Sequence, residues 1–201
     1  MKCSELLPGD VMLKVNDGSI VGNAISFGQR LRNLPNSFVV HAGVMFDNHY
    51  IVEAQRQGII ANDLRVGHDL GCGYYVFRAT NRNLAQGAAT CAKMMFDVHQ
   101  FGRNLSYTIP GAVASLFGSG KARTRAEWDE LLDRILEGKK SPFFCSQFVV
   151  LVYQFCAEQM GMSGSSIFNY SDPKVNPALL AADLSRNNQF TEAGYMLPRE
   201  R

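Results

Sequence analysis

The chain has 201 residues and 22.3 kDa, with 20 Lys+Arg against 18 Asp+Glu and a formal net charge of +2. So balanced a charge excludes a protein that acts by neutralising phosphates. A hydrophobic content of 46% excludes a disordered chain, and no apolar run reaches the roughly 18 residues that a membrane helix needs. One domain over 1–201 is the expected organisation.

The first ten residues, Met1 to Asp10, hold no apolar stretch. No signal peptide is expected, and the protein is expected to be cytoplasmic as synthesised. The cysteines are Cys3, Cys72, Cys91, Cys145 and Cys156. An odd number at scattered spacing, without C-x-x-C, implies reduced thiols rather than a disulfide framework. Four histidines without paired Cys/His spacing argue against structural zinc. No metal and no organic cofactor is expected.

Val11 to Val15 is a β-branched run between Pro8-Gly9-Asp10 and Asn16-Asp17-Gly18, and so reads as a strand. Ser19 to Arg32 has near-helical apolar spacing with Ser19 as cap. Phe38 to Phe46 and Tyr50 to Ala54 read as a hairpin around the turn Asp47-Asn48-His49. Gly58 to Ala61 and Tyr74 to Ala79 add two strands, for an antiparallel meander. Leu84 to Phe101 is an Ala-rich helix. Thr124 to Leu136 follows a capping-box pattern, with Glu127 three residues after Thr124, inside a helical insertion around 108–140. Phe143 to Met160 is a buried helix, and Pro177 to Leu184 a short one. The expected class is α+β, with a mainly antiparallel sheet packed against helices.

Cys145 opens the apolar helix. There it sees the positive end of the helix dipole, which favours a thiolate; the bland alternative is a small buried apolar residue. Cys156, eleven residues on, is mid-helix on the apolar face and is expected to be inert core.

His41 and Glu53 both interrupt apolar strands. A thiol nucleophile needs a base within hydrogen-bond reach, and histidine is the usual one. His49 is in a turn, His68 in a Gly-flanked loop and His99 in the Ala-rich helix, which leaves His41 as the histidine held on a strand. A carboxylate at a core strand position is costly unless paired. In a hairpin, partner numbers have a constant sum. Glu53 shares a face with His41 only if that sum is even, 94 or 96, which requires an odd-length turn or a bulge. A two-residue turn gives 95 and separates them. With an even sum, Glu53 orients the imidazole as the third member of a triad.

Leu7-Pro8-Gly9-Asp10-Val11, Val40-His41-Ala42-Gly43-Val44, Ile51-Val52-Glu53-Ala54 and Phe144-Cys145-Ser146-Gln147-Phe148-Val149, in this order, resemble the circularly permuted branch of the NlpC-type papain-like cysteine hydrolases. That branch includes YiiX-like and lecithin retinol acyltransferase-like proteins. The resemblance spans residues 6 to about 155. It implies a permuted papain-like fold with the nucleophile at the N-terminus of a buried helix. It also implies Cys145 as nucleophile, His41 as general base and acid, and Glu53 as the orienting residue. Gly102 to Tyr107 is similar to the branch's Gly-x-x-Tyr element, which places Tyr107 near the site. Ser146, beside the nucleophile, is assigned with Tyr107 to the substrate and oxyanion region. The family histidine is often preceded by Ser, where this chain has Val40.

The implied activity is cleavage of an amide bond through an acyl-enzyme, most commonly in bacterial cell-wall peptides. Acyl transfer, thioester cleavage or deamidation on lipid or protein substrates are alternatives, as is a catalytically silent binding module of the same fold. A cell-wall substrate lies outside the cytoplasm, so without an export signal three readings stay open: an intracellular substrate, a shortened chain, or delivery by a signal-less secretion system as an antibacterial effector, which would have a cognate inhibitor protein as partner. No nucleic acid partner is expected.

Overall fold

The structure, a computed structural model, describes residues 1–31, 33–55, 58–66, 72–101, 145–168 and 175–197. The elements are β1 (Val11–Val15), α1 (Ile20–Leu31), β2 (Val39–Met45), β3 (Tyr50–Gln55), β4 (Gly58–Asp63), β5 (Tyr74–Ala79), α2 (Arg82–Phe101), α3 (Cys145–Gln159), α4 (Pro177–Leu184) and β6 (Phe190–Met196). Six antiparallel strands form one sheet in the order β4-β3-β2-β1-β5-β6. The fold is α+β. The expected insertion around 108–140, with its helix 124–136, lies outside the described residues.

The meander holds from β1 to β4 and breaks at β5, which crosses back to the free edge of β1. The reason lies in β1 itself. Val11, Met12 and Leu13 are all fully buried, so both faces and both edges of this strand must be covered. Alternation then divides the interior in two. Val11 and Leu13 point into the larger core, shared with α2, α3 and α4. Met12 points to the other side, into a smaller core with Met45, Tyr74, Val76 and Leu6.

The Pro8-Gly9-Asp10 turn ties these layers together. Gly9 N–H donates to Met45 O at 2.8 Å, and Met45 N–H donates to Asp10 O at 2.8 Å. The buried Asp10 carboxylate takes a two-pronged contact from Arg78, with Nε at 2.8 Å and Nη2 at 2.6 Å, and accepts from Leu7 N–H at 2.9 Å. Arg82 Nη2 donates to Pro8 O at 2.8 Å. The buried Tyr153 hydroxyl of α3 donates to Gly9 O. Gly9 has φ +82°, and a Cβ there would stand 2.2 Å from Ala85 O, so only glycine fits. Strands β1, β2 and β5 and helices α2 and α3 thus share one turn.

The inward face of α1 is small and polar, with Gly22, Ser26 and Gln29 buried. Gln29 Nε2 donates to Val39 O at 2.8 Å and Ser37 O at 3.1 Å, and its Oε1 accepts from Ala178 N–H at 3.0 Å. This side chain replaces ladder partners at the start of β2. There Lys14 pairs with His41 but Val15 pairs with Val39, so Val40 is a bulge. His41 is therefore the first residue of β2 after the irregularity.

Candidate active site

Three elements bring three side chains together. His41 sits on β2, Glu53 on β3, and Cys145 is the first residue of α3. In the β2–β3 ladder Val44 pairs with Val52 and Met45 with Ile51, a constant sum of 96. Phe46 N–H closes the hairpin on Tyr50 O at 2.8 Å, leaving a three-residue loop of Asp47, Asn48 and His49. The loop holds its shape through Asp47 Oδ1, which accepts from the N–H groups of His49 and Tyr50 at 2.8 and 2.7 Å. The odd length satisfies the parity condition. In this register Glu53 falls opposite Gly43, two residues from His41 and on its face of the sheet. Gly43 is needed there, since a Cβ would stand 2.7 Å from the Ile51 side chain and 2.9 Å from Val52 O.

Glu53 Oε2 lies 2.9 Å from His41 Nε2. The approach is close but not collinear, because Nε2 has no aligned hydrogen-bond partner. The carboxylate is closed off from water, whereas about a fifth of the histidine side chain remains open. Its other oxygen, Oε1, accepts from Asn62 Nδ2 at 2.6 Å and Gln55 Nε2 at 2.7 Å. A buried carboxylate is tolerable only with its lone pairs occupied, and here both oxygens are engaged.

Burial works against a charged imidazole at His41. The Cys145 side chain and the Glu53 carboxylate outweigh it and hold the His41 proton well above the ordinary range for histidine. The two side chains together favour the protonated form of the ring. Cys145 itself is buried, at the helix end where the dipole is positive and backbone donors are free. The other described thiols differ. Burial alone raises the Cys156 pKa, and burial with the neighbouring Cys156 raises that of Cys91. A Cβ at Gly87 would stand 2.1 Å from Cys156 Sγ, so that sulfur is packed into the α2–α3 contact.

Ser146 does not fit its expected place. Its hydroxyl is fully buried and donates to Val175 O at 2.6 Å. Successive helical side chains are rotated by about 100°, and the Ser146 side chain turns to the buried Val175 carbonyl. It anchors the segment before α4 instead of meeting a substrate. Tyr107 and its Gly-x-x-Tyr element lie outside the described residues, as does His68. Asn62 and Gln55, which hold Glu53, were not anticipated. Gln55 carried a usable signal, since residues i and i+2 of a strand share a face.

Among the described residues no group of three or more His, Cys, Asp or Glu converges as a metal site, and no helix is long and apolar enough to cross a membrane. In comparisons with known proteins, no family model, no curated protein and no solved structure matches the chain.

Proposed function

We propose that the chain is a cysteine hydrolase of the permuted NlpC-type papain-like fold, which cleaves an amide bond in bacterial cell-wall peptides through a Cys145–His41–Glu53 triad. One observation carries the reading: a helix-opening cysteine acts on the proton of a strand histidine that is ion-paired at 2.9 Å to a buried carboxylate. The order of histidine strand, carboxylate strand and cysteine helix supports the permuted assignment.

In this mechanism Cys145 Sγ, as thiolate, attacks the carbonyl carbon and forms a C–S bond. The developing oxyanion is met by free N–H groups of the first turn of α3, Cys145 N–H among them. His41 gives its proton to the leaving nitrogen as the C–N bond breaks. The neutral imidazole then takes a proton from water, whose oxygen attacks the thioester; the C–S bond breaks, the acid leaves with the other proton, and the Cys145 thiolate beside a protonated His41 is restored. Glu53 holds the ring and offsets its positive charge. The substrate's location implies delivery beyond the cytoplasm, as for an antibacterial effector. Expression directed to the periplasm should then harm a bacterium more than expression in the cytoplasm.

The experiment is incubation with purified muropeptides and mass analysis of products. Hydrolysis by the wild type that vanishes in Cys145→Ala and His41→Ala supports the reading. A silent wild type, with no acyl adduct on Cys145 from muropeptide, lipid or thioester donors, favours a non-catalytic module.

A further inference from the structure

The β1–β5–β6 half of the sheet carries a recess distinct from the triad. It holds about 190 Å³ of open space between the loop before β2 and the C-terminal end of α4. Three of its walls are aromatic: Phe38, Tyr75 and Phe77. The Phe38 and Tyr75 rings have centroids 5.9 Å apart and planes at 52°, tilted to one another instead of stacked. Tyr195 extends the aromatic surface, 5.2 Å from Tyr75. Its hydroxyl lies over Gly73, where a Cβ would stand 1.8 Å away, and glycine at that position lets the ring lie across β5. Phe38 and Tyr195 are 40% and 43% exposed, an unusual outlay of large rings on a surface.

The rim is polar, from Asn36, Ser185 and Glu192. The β5–β6 register places Glu192 opposite Phe77. Among the described residues no Lys or Arg lines the recess, and none forms an ion pair with Glu192. Ring faces carry negative potential, and cations are drawn to them. A carboxylate added to such a pair of rings, with no positive group among the described residues to answer it, repels anions and leaves its charge unused by a neutral guest.

We propose that this recess binds an organic ammonium group, quaternary or primary, using the faces of Phe38 and Tyr75 and the Glu192 carboxylate. The inference does not depend on the catalytic reading, because it concerns different residues and is tested by binding alone.

The test is an NMR titration of the full chain with three probes: choline, N-acetyl-lysine methylamide, and 3,3-dimethylbutan-1-ol, the neutral isostere of choline. Saturable shifts at Phe38, Tyr75 and Glu192 are expected with at least one cation. Choline is expected to bind at least about tenfold more tightly than its neutral isostere if the quaternary form is the guest. The lysine amide is expected to be the tighter cation if a primary amine is. Glu192→Gln, at an exposed position, should weaken the cation severalfold and leave the neutral probe unchanged. Phe38→Leu should weaken the cation as well. Unaltered iodoacetamide labelling of Cys145 will show that both variants are folded. Equal binding of cations and neutral isostere overturns the proposal. So does the absence of shifts with both cations at concentrations on the order of 100 mM, weaker than the pair of rings and a carboxylate together supply.

Discussion

Glu53 Oε2 stands 2.9 Å from His41 Nε2 while Oε1 of the same carboxylate accepts from Asn62 and Gln55. One oxygen serves the imidazole and the other is fixed by two amides. The carboxylate therefore cannot swing away from the ring without leaving a buried polar atom unpaired, which costs about 1–3 kcal/mol. A carboxylate fixed in this way acts as a constant field on His41.

Replacement of Glu53 by Gln keeps the shape and removes the field. The His41 proton affinity, now raised well above the ordinary value of 6.5 by Cys145 and Glu53 against the opposition of burial, should fall. The sign for stability follows. The folded protein binds this proton more tightly than the unfolded chain, so the contribution is complete below pH 6.5 and is lost as pH rises through the folded value. The Glu53→Gln variant should thus lose more stability against wild type near pH 6 than in alkaline buffer. An imidazole ¹⁵N titration and urea melts at the two pH values measure both effects. An unchanged His41 titration would remove Glu53 from its positioning role.

Asp10→Ala should be among the most damaging substitutions outside the site. It strips Arg78 of a two-pronged partner and opens the turn that joins β1 to β2 and α3. Breaking a fully buried pair from one side costs about 3–5 kcal/mol. The cost here should fall toward the lower end, because about a quarter of the Arg78 side chain reaches water. The midpoint of denaturant unfolding should drop with an unchanged slope. If Arg78→Leu in the Asp10→Ala background restores part of the loss, the damage came from the stranded charge and not from the turn.

The thiols offer a test in which ionisation, not exposure, decides. Cys145, Cys91 and Cys156 are 8%, 8% and 7% exposed, so access does not rank them. Burial raises the pKa of Cys156, and burial together with the Cys156 neighbour raises that of Cys91, whereas Cys145 is a partner of His41 and favours the protonated ring. Since the thiolate is the nucleophile, iodoacetamide near pH 7 should label Cys145 first in a Cys3→Ser background, with Cys91 and Cys156 reacting only on unfolding. His41→Ala should slow the Cys145 reaction at least about tenfold, the equivalent of 1.4 kcal/mol. Equal rates for Cys145, Cys91 and Cys156 in the native state would dismiss the pairing. Peptide mapping by mass spectrometry reads the order directly.

Where local patterning carries the structure, the elements were legible in the residues. β1, β5 and α4 run over the residues that their apolar runs and turn residues mark, and Asn176 caps α4 through Leu179 N–H at 3.0 Å. The start of α2 was misplaced by two residues, because Asn81 is the cap, accepting from Asn83 and Leu84 N–H at 3.1 and 3.2 Å. β6 was missed entirely. Phe190–Met196 holds Glu192, Ala193 and Gly194 and no long apolar run, and only its two ends are buried. Its ladder with β5 is also irregular between Val76 and Phe77, near Gly194 with φ +141°. An edge strand that buries so little leaves no alternation to read. The site itself was half legible. The residue types and their parity condition were open to inspection, but the register sum depends on a three-residue loop. The amides that fix Glu53 come partly from β4, whose pairing no local pattern specifies.

The register also supplies the sharpest test of how the site is assembled. Gly43 stands between His41 and Met45 on β2, and Met45 pairs with Ile51. A methyl group at Gly43 would meet the Ile51 side chain at 2.7 Å and Val52 O at 2.9 Å. The side-chain contact can be relieved by rotation of Ile51, but the carbonyl belongs to the β3 backbone and moves only with the strand. Overpacking of this kind costs about 1–3 kcal/mol. Relief must push β3 away from β2 at the level of Glu53. Gly43→Ala should therefore do two things: lower stability by that amount, and lower the His41 proton affinity as the carboxylate recedes. Ile51→Val in the same background removes one methyl group of the clash and not the carbonyl contact. It should recover some stability and little of the His41 shift. Full recovery of both would show that side-chain packing, and not the spacing of the two backbones, holds His41 and Glu53 together.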